Sequence, residues 1–232
     1  MEQFPLNIIP RLPYSGDNFE LHQGVSSVFA ALLPPLTKET FSLLFIYAPE
    51  RYGKTHLLVK TSDALSKQGI FHKVSEGAEF GSLAYELQTG ASKNTIPQAI
   101  LIDNIESYLI SVEKGQSGEF VSFIEWCRLN RIPISLFSSR RIEDFPSDDH
   151  VKSRLRAGIQ LDIKEPEDED ITTVIRALAK QRGVKLSDRN LNFLTKRLER
   201  DIPSLERYVD RLLHLSQVLG KSIKFNLVSD AV

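Results

Sequence analysis

Short apolar runs alternate with stretches of helical periodicity over the first two thirds of the chain. Most of these runs are four to eight residues long and end at glycine, proline or polar residues, which is typical of buried strands. The predicted strands are 42–49, 70–75, 99–103, 134–138 and 159–163, and the predicted helices are 25–33, 55–67, 78–87 and 119–129, the first of them ending at Pro34-Pro35. Because the strands alternate with helices, we expect a mainly parallel sheet with helices on both faces.

The pattern changes at the acidic stretch 165–170, after which only helical periodicity is found. Helices are predicted at 168–182, 187–199 and 203–219. Gly183 and Gly220 are placed to end helices, and Ser187 and Asp201 are placed to cap the next ones. The fold class predicted is therefore α/β, a parallel sheet with flanking helices followed by a small all-α domain.

Three domains follow from this division. Residues 1–16 hold Pro5, Pro10 and Pro13 and are predicted to form an extended tail, because proline at this density disfavours helix and strand. Residues 17–164 form the predicted α/β domain. Residues 165–232 form the predicted helical domain.

Composition excludes several classes of protein. The chain has 232 residues, is 41% hydrophobic and 25% charged, and carries a formal net charge of −1, so no global basic field predicts strong non-specific nucleic-acid binding. Its one cysteine, Cys127, excludes an internal disulfide framework. The N-terminus has no leader pattern, and the longest apolar run, 41–48, is too short to span a bilayer. We therefore expect a cytoplasmic protein.

The sequence APERYGKTHLL, residues 48–58, has the ending of a phosphate-binding loop. Gly53, Lys54 and Thr55 lie between a predicted strand and a predicted helix, where backbone N–H groups point at an anion. Lys54 would contact the β- and γ-phosphates and Thr55 would hold Mg²⁺. Ala48, followed by proline, replaces the first glycine of the full motif, so we expect ADP or ATP to bind weakly. A turn that holds no nucleotide is the alternative.

A second motif, LIDNIE, covers residues 101–106. Asp103 ends a buried strand beside the loop and is predicted to provide the second magnesium contact. The next residue, Asn104, cannot accept a proton from the attacking water, and Glu106 lies two residues further on. Hydrolysis by this chain alone is therefore predicted to be slow or absent.

With these motifs the chain resembles the AAA+ module of the bacterial replication initiator DnaA and, more closely, its Hda-type regulators. Asp17-Asn18-Phe19 is similar to the sequence that opens the initiator's ATPase module, which implies that Asn18 and Phe19 contact nucleotide. The stretch KSRLRAGIQ, 152–160, resembles the family's box holding its arginine finger. That likeness gives Arg154 the role of completing a nucleotide site on a neighbouring subunit, and it allows a homo-oligomer through AAA+ faces.

The tail carries a further resemblance. Gln3, Leu6 and Ile8 are spaced as in the tail by which Hda proteins bind the replication sliding clamp, where apolar anchors enter a pocket and glutamine makes hydrogen bonds. By itself this pattern is common, and a disordered tail is the alternative. A clamp-binding tail without a following helix-turn-helix DNA reader favours the regulator over the initiator.

Three positions depart from the family pattern. Ala48 replaces glycine, Arg140 stands where an aspartate is usual in the sensor-1 turn, and Pro203 stands where the sensor-2 arginine is usual. Proline suits the first turn of a helix, so the fold is expected to tolerate it. The phosphate contact from the lid is expected to be lost.

The predicted function is an Hda-like regulator that binds the clamp and promotes hydrolysis of the ATP on DnaA through Arg154. One alternative is an adaptor that binds the clamp but has no nucleotide. Another is a DNA-handling ATPase of the helicase-loader type, for which the basic clusters at 140–141, 152–156 and 197–200 would have to form one stripe.

Overall fold

A computed structural model of the chain describes residues 22–90, 96–112, 117–199, 201–220 and 223–230. These residues form two compact units. One unit is Gly24–Lys164, and the other consists of the residues from Glu165 onward together with residues 22 and 23.

The first unit is built on a five-stranded sheet in which every strand pair is parallel. The strands are β1 (Leu43–Tyr47), β2 (His72–Glu76), β3 (Ala99–Asp103), β4 (Ile134–Ser138) and β5 (Ile159–Asp162), in the order β2-β3-β4-β1-β5. All residues of β3 and β4 are buried, as expected for central strands covered on both faces. The predicted parallel sheet is confirmed, and all carboxyl ends of its strands lie along one edge.

Helices follow most strands of this unit. They are α1 (Gln23–Leu36), α2 (Lys54–Lys67), α3 (Phe80–Thr89), α4 (Glu106–Ser111), α5 (Gly118–Leu129) and α6 (Asp149–Ala157), with 3₁₀ turns at Gly77–Glu79 and Ile142–Asp144. The prediction missed α4 and α6. Aromatic side chains form much of the core on one side: the ring of Phe80 contacts those of Tyr108, Phe120 and Phe123 at centroid distances of 4.3–5.5 Å.

The predicted end of α1 at Pro34-Pro35 is wrong, because the helix includes both prolines and continues to Leu36. Leu36 is buried and holds the last turn against the core. The hydroxyl of Thr37 donates to the Pro34 carbonyl at 3.0 Å, which satisfies one of the carbonyls left open at the helix end.

The second unit is helical. Its helices are α7 (Asp168–Gln181), α8 (Asp188–Leu194), α9 (Ile202–Leu219) and α10 (Phe225–Asp230), of which α10 was not predicted. The predicted caps are confirmed: Ser187 accepts from the Asn190 N–H at 3.3 Å and Asp201 from the Ser204 N–H at 2.9 Å. Pro203 lies in the first turn of α9.

These helices bury an apolar core of their own. It includes Ile175 of α7, Leu191 of α8, Val209 of α9 and Val228 of α10, all at or near zero exposure. Across the described ranges, no helix is both long and apolar enough to cross a bilayer.

Candidate functional site

The loop between β1 and α2 contains two residues with left-handed backbone. Within it φ is positive at Arg51 (67°) and at Gly53 (87°), and the Gly53 carbonyl accepts from the Leu57 N–H at 2.9 Å, which begins α2. Ala48 is not in the left-handed region. The residue that replaces the expected glycine therefore adds no backbone strain, and the position at which a glycine would relieve strain is Arg51.

Lys54 is folded onto this loop and is only 7% exposed. Its Nζ donates to the carbonyl oxygens of Ala48 at 2.8 Å and Pro49 at 2.9 Å. Burial lowers the pKa of Lys54, and three nearby carboxylates, led by Glu106, oppose that shift. The ammonium group thus lies in a largely dry site whose own carbonyls satisfy it.

Thr55 and Asp103 meet at the carboxyl end of the sheet. The Thr55 hydroxyl donates to Asp103 Oδ2 at 2.7 Å, and the Asn104 N–H donates to Oδ1 at 3.0 Å. Asp103 is 2% exposed, and burial raises its pKa while the bond from Thr55 opposes the rise. Two neighbouring ligands of an octahedral Mg²⁺ lie about 2.9 Å apart. The two oxygens therefore fit such an ion, which would be held by Thr55 and Asp103.

The end of β2 contributes a carboxylate that the sequence did not identify. Glu76 pairs in register with Asp103, and its Oε2 accepts from Asn104 Nδ2 at 3.0 Å. Asn104 has φ 48°, and Gly77 packs so closely on it that an added Cβ would lie 2.2 Å from the Asn104 carbonyl oxygen. This contact fixes the backbone that carries Asp103.

Glu106, in the first turn of α4, is a second carboxylate that follows Asp103 closely in sequence. Its Oε1 accepts from the Ser139 N–H at 3.0 Å and from the Ser139 hydroxyl. Its Oε2 is buried and has no hydrogen-bond partner among the residues described. Among the carboxylates that oppose the lowered pKa of Lys54, Glu106 has the largest effect. Glu106 thus binds the turn after β4 and lies close enough to Lys54 to favour its charged form.

Arg154 lies at the opposite edge of the sheet. It belongs to α6 and lines a cavity of about 260 Å³ with Leu43 and Ile159, the first residues of β1 and β5. Its Nε donates to Glu125 Oε1 at 3.3 Å. The structure therefore brings Ala48, Gly53, Lys54, Thr55 and Asp103 together at one edge and does not bring Arg154 to them.

The other predicted residues are placed as follows. Gln3, Leu6, Ile8, Asn18 and Phe19 lie outside the described residues. In the sensor-1 turn Arg140 is exposed, and the neighbouring Arg141 packs over the Tyr47 ring at 4.3 Å and pairs with Asp162 at 3.4 Å.

Comparison with known proteins identifies relatives in replication initiation. Residues 168–224 match the family model described as Hda, lid domain. The chromosomal replication initiator protein DnaA of Psychromonas ingrahamii is 27% identical over 94% of this chain and 50% of its own length. That of Symbiobacterium thermophilum is 26% identical over 83% of this chain and 44% of its own length. The chain thus spans about half the length of the curated relatives it matches.

Solved structures share the fold. Domain III of the Thermotoga maritima replication initiation protein DnaA superposes with a TM-score of 0.73 at 20% identity, covering 96% of this chain and 97% of that one. AMPPCP-bound DnaA from Aquifex aeolicus gives 0.65 at 19% identity, covering 94% and 80%. The parallel sheet followed by a helical lid is therefore the AAA+ architecture. The chain is thus similar to Hda in its lid, over residues 168–224, and similar in sequence and fold to the replication initiator DnaA over most of its length.

Proposed function

We propose that this chain is an Hda-like regulator of chromosomal replication that promotes hydrolysis of the ATP bound to the DnaA initiator. The observation that carries the proposal is the separation of Arg154 from Lys54 in a chain whose lid matches the Hda model over residues 168–224. An arginine that cannot serve its own nucleotide is suited to serve another molecule's.

The separation follows from the length of the strands. Arg154 lies beside Leu43, the first residue of β1, whereas Lys54 donates to Ala48 just after the end of β1. A five-residue parallel strand spans about 16 Å. A phosphate held by Lys54 is therefore out of reach of the Arg154 guanidinium within one chain.

Arg154 would act by stabilising negative charge in the transition state. In phosphoryl transfer to water, the water oxygen attacks the γ-phosphorus, ADP leaves, and negative charge spreads over the phosphoryl oxygens. A guanidinium presented by a second protein stabilises that charge with paired N–H donors. Mg²⁺ and the groups that orient the water would belong to the initiator.

The chain's own nucleotide would have a conformational role. ADP or ATP with Mg²⁺ would be held by Gly53, Lys54, Thr55 and Asp103, and Asn104 provides no base for hydrolysis. Binding would favour one arrangement of the α/β and helical domains over another, which requires differential affinity and no turnover.

The clamp would be bound through Gln3, Leu6 and Ile8. These residues lie outside the described part of the structure, so their support is the sequence pattern alone. Clamp binding would restrict the activity to initiators close to DNA being replicated.

A second candidate function is a clamp-bound adaptor that holds no nucleotide. The geometry of Lys54 favours it, because Nζ is already satisfied by two loop carbonyls. Calorimetric titration with ADP and Mg²⁺ separates the two candidates: saturable binding supports a nucleotide-dependent regulator, and no binding at millimolar ADP supports the adaptor.

The proposal is tested with DnaA and the clamp from the same source. DnaA is loaded with γ-labelled ATP and mixed with this chain and with clamp on primed DNA, and phosphate release is followed. We expect stimulated release that the Gln3→Ala/Leu6→Ala double variant and the Arg154→Ala variant both abolish. An intact chain that binds the clamp but leaves the hydrolysis rate unchanged would refute the regulatory role.

A further inference from the structure

Arg154 is paired with a carboxylate of its own chain. Its Nε donates to Glu125 Oε1 of α5 at 3.3 Å, and its Nη1 donates to the His150 carbonyl one turn earlier on α6 at 3.2 Å. A phosphate of a second molecule could replace Glu125 at Nε, because carboxylate and phosphate are both anions that a guanidinium binds with paired N–H donors.

Glu125 lies between two arginines. Its Oε2 is 3.8 Å from Nη1 of Arg128, which follows it by one helical turn. Arg128 is more exposed than Arg154 and lies over the Phe41 ring at 5.4 Å. Glu125 can therefore leave Arg154 without losing every counter-ion, because Arg128 already lies close to its other oxygen.

The cavity beside these residues suits an incoming anion. It is lined by Arg128 and Arg154 together with apolar residues that include Phe41, Ile124 and Ile159. Glu125 pairs with both arginines, so the three side chains together retain a net positive charge.

We propose that Glu125 is a positioning residue that holds Arg154 until a nucleoside triphosphate on the partner protein replaces it, and that Arg128 receives the released carboxylate. This inference rests on the proposed function. The exchange replaces one anion with another at Arg154 and keeps Glu125 paired throughout.

The ion pair between Arg154 and Glu125 is weak enough to be replaced. Arg154 is 28% and Glu125 40% exposed, and ion pairs of this exposure shift an equilibrium by only about two- to fivefold. A triphosphate carries more charge than a carboxylate and presents several acceptor oxygens to the guanidinium. The carboxylate thus restrains Arg154 without preventing its release.

The first test measures stimulated hydrolysis of DnaA-bound ATP against the concentration of this chain. With Glu125→Gln we expect the half-saturating concentration to fall about two- to fivefold, because Arg154 no longer has to be released. With Arg128→Gln we expect it to rise by a similar factor, because Glu125 then has Arg154 as its main partner. In the double variant the effect of Arg128→Gln should disappear.

Glu143→Gln is the matched control, because Glu143 pairs with Arg156 of the same helix and does not contact Arg154 in the described structure. We expect it to leave the half-saturating concentration unchanged. A Glu125→Gln variant that needs more protein for half-saturation would overturn the proposal, since Glu125 would then hold Arg154 in its active position.

The second test does not depend on DnaA. In the isolated chain, solvent exchange of the Arg154 Nε proton is measured by ¹⁵N NMR in the wild type and in Glu125→Gln. We expect exchange at least twofold faster in the variant, and equal rates would overturn the restraint. If the wild type fails to stimulate DnaA, the proposed function fails, while this measurement still decides whether Glu125 holds Arg154.

Discussion

The two edges of the central sheet hold their charged groups in different ways. At the carboxyl edge, Lys54 and Asp103 are almost fully buried and are satisfied by neighbouring backbone and side-chain groups. At the amino edge, Arg154 and Glu125 are partly exposed, and a single side-chain ion pair joins them. The charged groups of the first edge are thus held by several buried contacts, whereas those of the second are joined by one partly exposed pair.

This difference bears on what each edge can bind. A nucleotide at the carboxyl edge has to compete with hydrogen bonds from Lys54, which is only 7% exposed, to two loop carbonyls. A phosphate at the amino edge has to displace one half-exposed carboxylate. Because exposed ion pairs contribute little, the amino edge is the easier place for a partner's group to enter.

The largest expected effect comes from removing Arg154. Arg154→Ala should lower stimulated hydrolysis of DnaA-bound ATP about 10³-fold, the effect typical of an arginine finger. Arg154→Lys should not restore it, because an ammonium lacks the paired donors. Phosphate release measures the rate, and ADP titration of the same variants should show unchanged affinity. An Arg154→Ala variant that loses its own ADP binding would show that the two edges are not independent.

The next effect concerns the packing that positions Asp103. Gly77→Ala should lower the free energy of unfolding by about 3 kcal/mol, because the new Cβ would lie 2.2 Å from the Asn104 carbonyl oxygen. Urea unfolding measures it. Gly118→Ala is the control, since no atom lies within 4 Å of a Cβ there. Equal stability of the two variants would mean that the turn after β2 adapts, and the carboxyl edge would be less rigid than we infer.

Lys54→Ala tests ligand binding at the carboxyl edge. Hydrogen bonds to charged groups contribute about 1.5–3 kcal/mol, so ADP affinity should fall roughly 10- to 100-fold. Lys60→Ala, on the same helix, is the control and should bind ADP as the wild type does. Calorimetry measures both. Unchanged affinity in Lys54→Ala would indicate that the loop holds nucleotide by backbone N–H groups alone.

The elements best predicted from the sequence are those buried on all sides. β3 and β4 were predicted to the residue, because each is a run of five residues that are buried on both faces of the sheet. α6 was missed, because only Val151 and Leu155 of its nine residues are buried and the remainder, apart from Ala157, is charged or polar. α4 has six residues, too few to show a helical period.

The site was predictable where its residues belong to a recognisable sequence motif. Lys54 and Thr55 follow from the loop, and Asp103 follows from its place at the end of a buried strand. Glu76 could not be found in this way, because its contact with Asn104 depends on β2 lying next to β3. Glu125 and Arg154 lie 29 residues apart in sequence and on different helices, and no periodicity encodes their pairing.

The pH dependence of stability tests whether the Asp103 carboxylate is shielded from water. Burial raises the pKa of Asp103 above its ordinary value of 3.8, so the fold favours the protonated form. That stabilisation is complete below pH 3.8 and is lost as the pH rises through the raised pKa. The unfolding free energy of the wild type, without nucleotide or Mg²⁺, should therefore fall in this window relative to Asp103→Asn. A difference that stays constant with pH would mean that water reaches the carboxylate.

The smallest expected effect concerns backbone strain, which both edges contain. Arg51 in the phosphate loop has φ 67°, and Arg131, just before the amino end of β4, has φ 58°. Left-handed backbone costs a residue with a Cβ about 1 kcal/mol or more, so Arg51→Gly should be more stable than Arg51→Ala by about 1 kcal/mol. The alanine variant removes the same side-chain contacts, so the difference isolates the backbone.

Arg131→Gly compared with Arg131→Ala should show the same gain. Only the pair at position 51 should also differ in ADP affinity, because only that residue belongs to the loop that would hold phosphate; a matching change at position 131 would refute the separation of the two edges.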